Sequence, residues 1–219
     1  MKNIKTECDR CGTCCRKGGP ALHIEDMRLL LNGWLKPEHL VTIRKGEPVF
    51  LLAGENPEPT RAEIVKIKGK GSEWTCLFFD TIEAGCTIYQ HRPLECSLLK
   101  CWNTADLENV TGKNLLSRYD MIEPGNPVLP FIKIHEEKCS LENFASQLSG
   151  PHNKNLTQKV MTNLTDLVNT DLAIRTQACE TFHLSLELEL FFFGRPVFKI
   201  LQQIGIEMHI VNGVCRLSC

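Results

Sequence analysis

The sequence predicts an α+β protein. Residues 1–150 read as a small cysteine-rich domain of short antiparallel strands and several helices, and residues 151–219 as a mainly helical region ending in a β-hairpin. Three observations carry this. Four cysteines fall within Cys8-Asp-Arg-Cys11-Gly-Thr-Cys14-Cys15, and further ones follow at Cys76, Cys86, Cys96 and Cys101. Between these groups, short apolar or alternating runs are bounded by glycine, the mark of small strands. Beyond residue 156 the apolar residues recur every three or four positions, the mark of helices.

Taken in order, Arg16-Lys-Gly-Gly-Pro20 is a basic turn. Residues 25–32 read as a helix, with Glu25 and Asp26 in its first turn and Gly33 at the C′ position. Residues 37–44 read as a second short helix, with Pro37 at N1 and Gly46 beyond its end. Residues 49–52 form a short apolar strand, and Glu63-Ile-Val-Lys-Ile-Lys68 alternates as another. Lys68-Gly-Lys-Gly-Ser72 is a turn, and residues 74–79 return with Cys76 on the strand.

Pro93 opens a helix running through Trp102, because its fixed φ suits a first helical turn. Thr104 or Asp106 caps a further helix toward Val110. Pro124, Pro127 and Pro130 break the chain before a short strand over 131–135. Ser140 caps a helix over 141–148, where apolar residues fall at i, i+3 and i+7. Ser149-Gly-Pro151-His-Asn153 is the linker that places the domain boundary.

In the C-terminal region, residues 156–178 carry a helical stripe of Val160, Leu164, Leu167, Val168 and Leu172. Residues 184–190 alternate with period two, yet Leu and Glu are strong helix formers, and propensity favours a helix. Residues 196–204 are one more helix. Ile206 to Ile210 then alternates, Asn212-Gly213 is a strong two-residue hairpin signal, and residues 214–217 return.

The chain has 219 residues, enough for one large domain or a main domain with an appendage. A chain of this size buries roughly 70% of its unfolded surface, so it needs no disulfides to fold. Its formal net charge of −1 points to neither a nucleic-acid surface nor an acidic-substrate funnel. The first eight residues lack the apolar stretch of a signal peptide. The longest apolar run, residues 188–193, falls far short of the ~20 residues of a membrane span. The expectation is therefore a cytoplasmic protein with no nucleic-acid or membrane partner. Twelve cysteines in that compartment stay reduced, and clustered thiols there point to metal ligation or redox chemistry.

Thiolate ligands need a backbone that turns several sulfurs toward one point. Cys-x2-Cys does this with a tight loop, and Gly12 supports the turn; the spacing serves zinc knuckles and iron–sulfur loops alike. Cys8, Cys11 and Cys14 match the first three ligands of a ferredoxin-type run, but Cys15 follows at once where that run continues for three more residues. A fourth ligand must then come from elsewhere, and the adjacency of Cys14 and Cys15 suggests a polynuclear or two-site centre, or one ligand beside one hydrogen-bonding thiol. Iron–sulfur or another iron centre is the first reading and zinc the second, ahead of a redox disulfide relay or plainly buried thiols.

Cys76, Cys86 and Cys96 supply the missing ligands, with Cys96 near the start of the Pro93 helix, where the dipole favours a thiolate. Cys101 lies about 140° further round an ideal helix, so it joins the same centre only if that helix ends early. Arg92 is assigned to the centre as a cation that offsets thiolate charge and tunes its potential. Arg10 and Arg16 lie next to the ligands as well, and Lys17 reads as a surface charge. Trp102 can shield the site from water but reads first as a buried core residue, and His91 is an outside ligand candidate that reads first as an exposed or capping residue. His135-x3-Cys139 has a spacing a zinc site can use, although an ordinary structural role is favoured. Cys179 reads as a buried apolar residue, and Cys215-x3-Cys219 can form a redox pair, although an ordinary role is favoured.

These residues carry a resemblance. Cys8-x2-Cys11-x2-Cys14-Cys15, the Cys76-Leu-Phe strand, Gly85-Cys86-Thr-Ile88-Tyr89 and Arg92-Pro93-x2-Cys96 resemble the CxxCxxCC family, the YkgJ-type zinc- or iron-chelating domains, over about residues 5–101. The resemblance implies a metal-binding domain with Cys8, Cys11, Cys14, Cys15, Cys76, Cys86 and Cys96 as ligands. The same domain occurs in flagellin lysine N-methylases. Many relatives follow the last cysteine with an aromatic–proline pair, where this chain has Ser97-Leu-Leu-Lys-Cys101-Trp102.

Three functions follow. The first is a cytosolic metalloprotein with an iron or iron–sulfur centre, acting in electron transfer or redox sensing with a redox or protein partner. The second is a structural zinc module. The third is an enzyme related to protein-lysine N-methylases, by family analogy alone, since the chain contains no GxGxxG and no P-loop.

Overall fold

The computed structural model describes residues 8–49, 57–142, 157–211 and 214–218. The chain forms two units, one of Met1–Val41 with Ile64–Asp120 and the other of Thr42–Glu63 with Met121–Cys219. Residues 42–49, 57–63 and 121–142 are grouped with the C-terminal helices in this division. Helices and short antiparallel strands alternate through both units, the α+β class that the sequence implies.

In the N-terminal unit, a 3₁₀ turn at Ile24–Asp26 leads into α1, Met27–Leu31, and Gly33 closes it with φ 74°. Expected helix 37–44 is overturned. Pro37–His39 makes only a 3₁₀ turn before β1, Leu40–Ile43. Val41, Thr42 and Ile43 are β-branched and all four strand residues are buried, so the run is extended. Unit two opens with β2, Pro48–Val49, paired antiparallel with β3, Glu58–Pro59.

β4, Ile64–Ile67, alternates half-buried and buried residues as read from its sequence. It is flanked by the extended segment after the cysteine loop, through Leu22 N–H to Val65 O at 2.8 Å and Ile67 N–H to Pro20 O at 3.0 Å. Two small hairpins follow. β5, Gly69–Lys70, pairs with β6, Thr75–Cys76; β7, Phe79–Asp80, pairs with β8, Gly85–Cys86. The expected single returning strand over 74–79 is thus split between two hairpins. Leu22, Leu29, Leu35, Val65, Ile67, Phe79 and Leu116 form the core of this unit.

α2 spans only Leu94–Leu98, since Leu99 leaves the helical region at ψ 110°. α3 is Ala105–Val110. Its first N–H, that of Ala105, donates to Asn103 Oδ1 at 3.1 Å, and Thr104 makes no side-chain cap.

In the C-terminal unit, the strand expected over 131–135 is instead part of α4, Leu129–Lys138, with Pro130 in its first turn. Val128, Ile132, His135 and Cys139 are buried at spacings of four, three and four, a helical stripe that outweighs the short Phe-Ile-Lys-Ile run. The helix expected over 141–148, the linker at 149–153 and most of the apolar run at 49–52 lie outside the described residues.

α5, Gln158–Phe182, is capped by Thr157, whose side chain accepts from Val160 N–H, and ends at His183 in the left-handed region. Its buried stripe is Leu164, Val168, Asp171, Arg175 and Ala178. α6, Leu186–Phe193, is capped by Ser185, and α7 is Val197–Gln202, so the favoured helices both form. β9, Glu207–Val211, and β10, Val214–Ser218, pair antiparallel with Val211 opposite Val214, the register of a two-residue turn. Leu141, Leu164, Val168, Val197, Ile200, Leu201, Ile206 and Cys215 make the core. Cys215 is therefore a packing residue, and Cys179 is half-buried. Among the described residues, no helix is long and apolar enough to cross a membrane.

Candidate metal centre

The Cys8–Cys15 loop owes its shape to two left-handed residues, Arg10 at φ 54° and Gly12 at φ 75°. Gly12 is required twice over: a Cβ there would sit 2.2 Å from Phe79 Cζ, so the loop backbone lies directly on the buried Phe79 ring. Arg16 N–H donates to Gly12 O at 2.9 Å, and a 3₁₀ turn at Cys15–Lys17 follows, with β6 packed against it. Cys76 on β6 is buried, Cys86 on β8 is half-buried, and Phe79 and Cys86 are cross-strand partners. The residue that seats Gly12 is thus paired with a candidate ligand.

The helix bearing Cys96 is tied to the segment after the loop by two acids. Glu95 Oε2 accepts from Ala21 N–H at 2.9 Å, and its Oε1 lies 3.4 Å from His23 Nε2. Buried Asp26 accepts from His23 N–H at 3.0 Å and, at the N-terminus of α2, from Leu94 N–H at 2.8 Å. Burial raises the Asp26 carboxyl, while these hydrogen bonds pull it down. Neither Glu95 nor Asp26 is read from the sequence as holding the Cys96 helix, although Asp26 is named there as a first-turn acid; the adjacency of Glu95 to Cys96 is the signal pointing to Glu95.

Five thiols share one electrostatic neighbourhood. Cys14 Sγ and Cys15 Sγ are 3.9 Å apart. Cys15 is pushed up first by its hydrogen bond to Cys14, then by burial and the charges of Cys14, Cys76 and Cys96. Cys14 is drawn down to about 6, mainly by the hydrogen bond from Cys15, with the Arg92 charge assisting. Cys96 is raised by burial and by Cys76, Cys14 and Cys86. Cys76 and Cys86 are raised by burial, each also responding to Cys14. In the metal-free chain, burial acts on Cys96 more strongly than the dipole of a five-residue helix.

Cys11 approaches the same region. It lines an open depression of 640 Å³ together with Cys86, Arg10, Asp80 and Glu83. Its Sγ is 3.2 Å from Thr13 Oγ1, while Cys8 Sγ accepts from Arg10 N–H at 3.3 Å. Cys101 is exposed, three residues past the end of α2. Arg92 lies over the Tyr89 ring at 3.8 Å and Arg10 over the same ring at 4.3 Å. Arg16 donates to Cys11 O at 3.1 Å and lies over Phe79. Lys17 is exposed, as read from the sequence. His91 stacks on Trp34 at 3.5 Å. Trp102 is 38% exposed, which overturns its reading as a core residue.

Chemically, the donor set is thiol-rich and soft, the kind that takes zinc or iron rather than calcium or magnesium. The thiols are gathered rather than closed: among the described residues, the group of three ligand-type side chains whose atoms all lie within 4.8 Å of one another is His135, Cys139 and Asp171.

Comparison with known proteins points to the same chemistry. Residues 7–114, just under half the chain, match the CxxCxxCC family, described as "Putative zinc- or iron-chelating domain". No curated protein and no solved structure matches the chain. The match gives residues 7–114 a likeness to a zinc- or iron-chelating domain, in keeping with the thiol-rich donor set.

Proposed function

We propose that the CxxCxxCC-like domain of this chain holds a thiolate-ligated iron centre, of the iron–sulfur kind, and works in electron transfer or redox sensing with a protein partner in the cytoplasm. What supports this reading is the grouping of Cys14 and Cys15, 3.9 Å apart, with Cys76 on the strand packed against the Cys15–Lys17 turn, and with Cys86 and Cys96 near enough for their charges to act on the same thiols. Five thiols exceed the four that a single tetrahedral zinc uses. With Cys8 and Cys11 on the same loop, they suit a centre of more than one metal atom.

Cys14, Cys76, Cys86 and Cys96 are the ligands proposed first, with Cys8, Cys11 and Cys15 completing the set; Cys101 is the outlying candidate. When bound, such a centre accepts and returns single electrons. The chain's own part is to hold the sulfurs and balance their charge. Arg92, whose charge reaches Cys14 and Cys86, favours the thiolate form of both. Glu95 and Asp26 hold the Cys96 helix against the segment after the loop.

Metal analysis and a visible spectrum of protein purified without oxygen test the reading. Brown protein carrying iron and labile sulfide supports it. Colourless protein with stoichiometric zinc overturns it in favour of a structural zinc module, since d¹⁰ zinc gives no visible thiolate bands.

A further inference from the structure

The C-terminal unit buries a second set of ligand-type side chains, independent of the cysteine centre. His135 and Cys139 end the buried stripe of α4 one turn apart, and Asp171 meets them from α5. A ring nitrogen of His135, the Cys139 sulfur and a carboxylate oxygen of Asp171 all lie within 4.8 Å of one another, and all three residues are fully buried.

The hydrogen bonds decide which atoms are already engaged. Asp171 Oδ1 accepts from His135 Nε2 at 2.6 Å and from Arg175 Nε at 2.8 Å, and Oδ2 accepts from Val197 N–H at 2.9 Å. Burial works against the Asp171 charge, but Arg175 and His135 hold the carboxyl far below the usual range. Asp171 is therefore an acceptor only, and His135 Nε2 carries the proton. Burial also lowers His135 to about 4, so the ring is neutral and its Nδ1 is a bare lone pair. That atom is buried with no hydrogen-bond partner, although Arg44 Nε and Nη2 are themselves without an acceptor. A buried polar atom left in this state calls for an explanation, and a ligand is one.

The charges acting on Cys139 are Asp171 and Glu136 against Arg44 and Arg175, a balanced set, and burial pushes its thiol up to about 11. A bound divalent cation would supply the positive charge that an ionised Cys139 lacks there. Binding would release the thiol proton to solvent.

We propose that His135 and Cys139 are the nitrogen and sulfur ligands of a second, buried metal site of the class that Zn²⁺ fills, with Asp171 as the carboxylate that fixes the imidazole. A ligating histidine that donates its other N–H to a carboxylate is a recurrent arrangement around metals, and nitrogen with sulfur suits zinc.

The test uses the full-length chain, stripped with chelator and reloaded with Zn²⁺. Cys139→Ser and His135→Gln are each expected to lower bound zinc by one ion per chain, and Cys11→Ser is expected to leave that ion in place. Asp171→Asn is expected to weaken it roughly 10- to 100-fold. A second measurement avoids substitution in the core: the zinc X-ray absorption spectrum of the unaltered chain is expected to show imidazole as well as sulfur. Unchanged zinc content in folded Cys139→Ser and His135→Gln chains, or a zinc shell of sulfur alone, overturns the proposal. Neither outcome bears on the cysteine centre, whose metal is read from iron and sulfide.

Discussion

Cys14 Sγ lies 3.9 Å from Cys15 Sγ, and the single hydrogen bond between them divides the pair into a ready thiolate and a held thiol. With Cys15 as donor and Cys14 as acceptor, the hydrogen bond draws Cys14 down and holds Cys15 up. In the reduced, metal-free protein, alkylation near neutral pH is expected to label exposed Cys14 ahead of Cys15, Cys76, Cys86 and Cys96, with a midpoint at about 6. Cys15→Ala removes the donor, so the Cys14 midpoint is expected to rise. Mass spectrometry of protein labelled across a pH series measures both, and uniform labelling of the five thiols would contradict the split.

Gly12 and Phe79 make the second prediction. Gly12→Ala is expected to weaken the N-terminal unit by about 1–3 kcal/mol for overpacking on the ring, plus roughly 1–2 kcal/mol for an alanine at positive φ. Phe79→Leu in the Gly12→Ala background relieves the first cost and leaves the second, so partial recovery of metal content and melting temperature is expected. Full retention of both by Gly12→Ala alone would show that the loop does not depend on this contact.

Arg175 concerns the other unit. Its guanidinium donates to Asp171, to Glu189 at 2.9 Å and to the carbonyls of Phe193, Gly194 and Arg195, covering the C-terminal end of α6. Arg175→Ala leaves Asp171 buried with a lost partner, and a destabilisation of about 3–5 kcal/mol is expected from urea unfolding. Arg175→Lys is expected to recover less than half, since an ammonium cannot reproduce the planar fork.

The pH dependence follows from His135. Burial lowers it from 6.5 to about 4, so between those values the unfolded chain takes up a proton that the folded unit refuses. Stability of the metal-free unit is therefore expected to be level above that window and to fall as pH drops through it, by on the order of 3 kcal/mol at about 1.4 kcal/mol per pKa unit. Asp171, held below its unfolded value, adds a further loss at lower pH still. Urea midpoints at about pH 7 and about pH 4.5 measure the change, and His135→Gln should flatten the upper part of it.

Where the structure agreed with the sequence, the signal was local. The stripe of α5, the Asn212-Gly213 register and the Gly33 stop are set by neighbours within a turn or two. The errors came where a local cue competed with burial. Leu40–Ile43 looked like the continuation of a proline-started helix, but full burial of β-branched residues drew it into a strand. Phe131 to His135 looked like a strand, but the buried residues recur at helical spacing once Val128 and Cys139 are counted. Asp171 and Arg175 lie on the buried stripe of α5, yet charged residues in a helical repeat read as its solvent face.

By itself the sequence determined the donor chemistry: a thiol-rich loop, three further cysteines at regular spacing, and an arginine beside the last of them. Spacing and residue type suffice for that, because a Cys-x2-Cys turn is made by its own backbone. Only the tertiary structure brought Cys76, Cys86 and Cys96 to the thiols of the loop, since residues so far apart in sequence meet only through packing. It alone brought Asp171 to His135 and Cys139, because desolvation and pairing depend on which elements pack together.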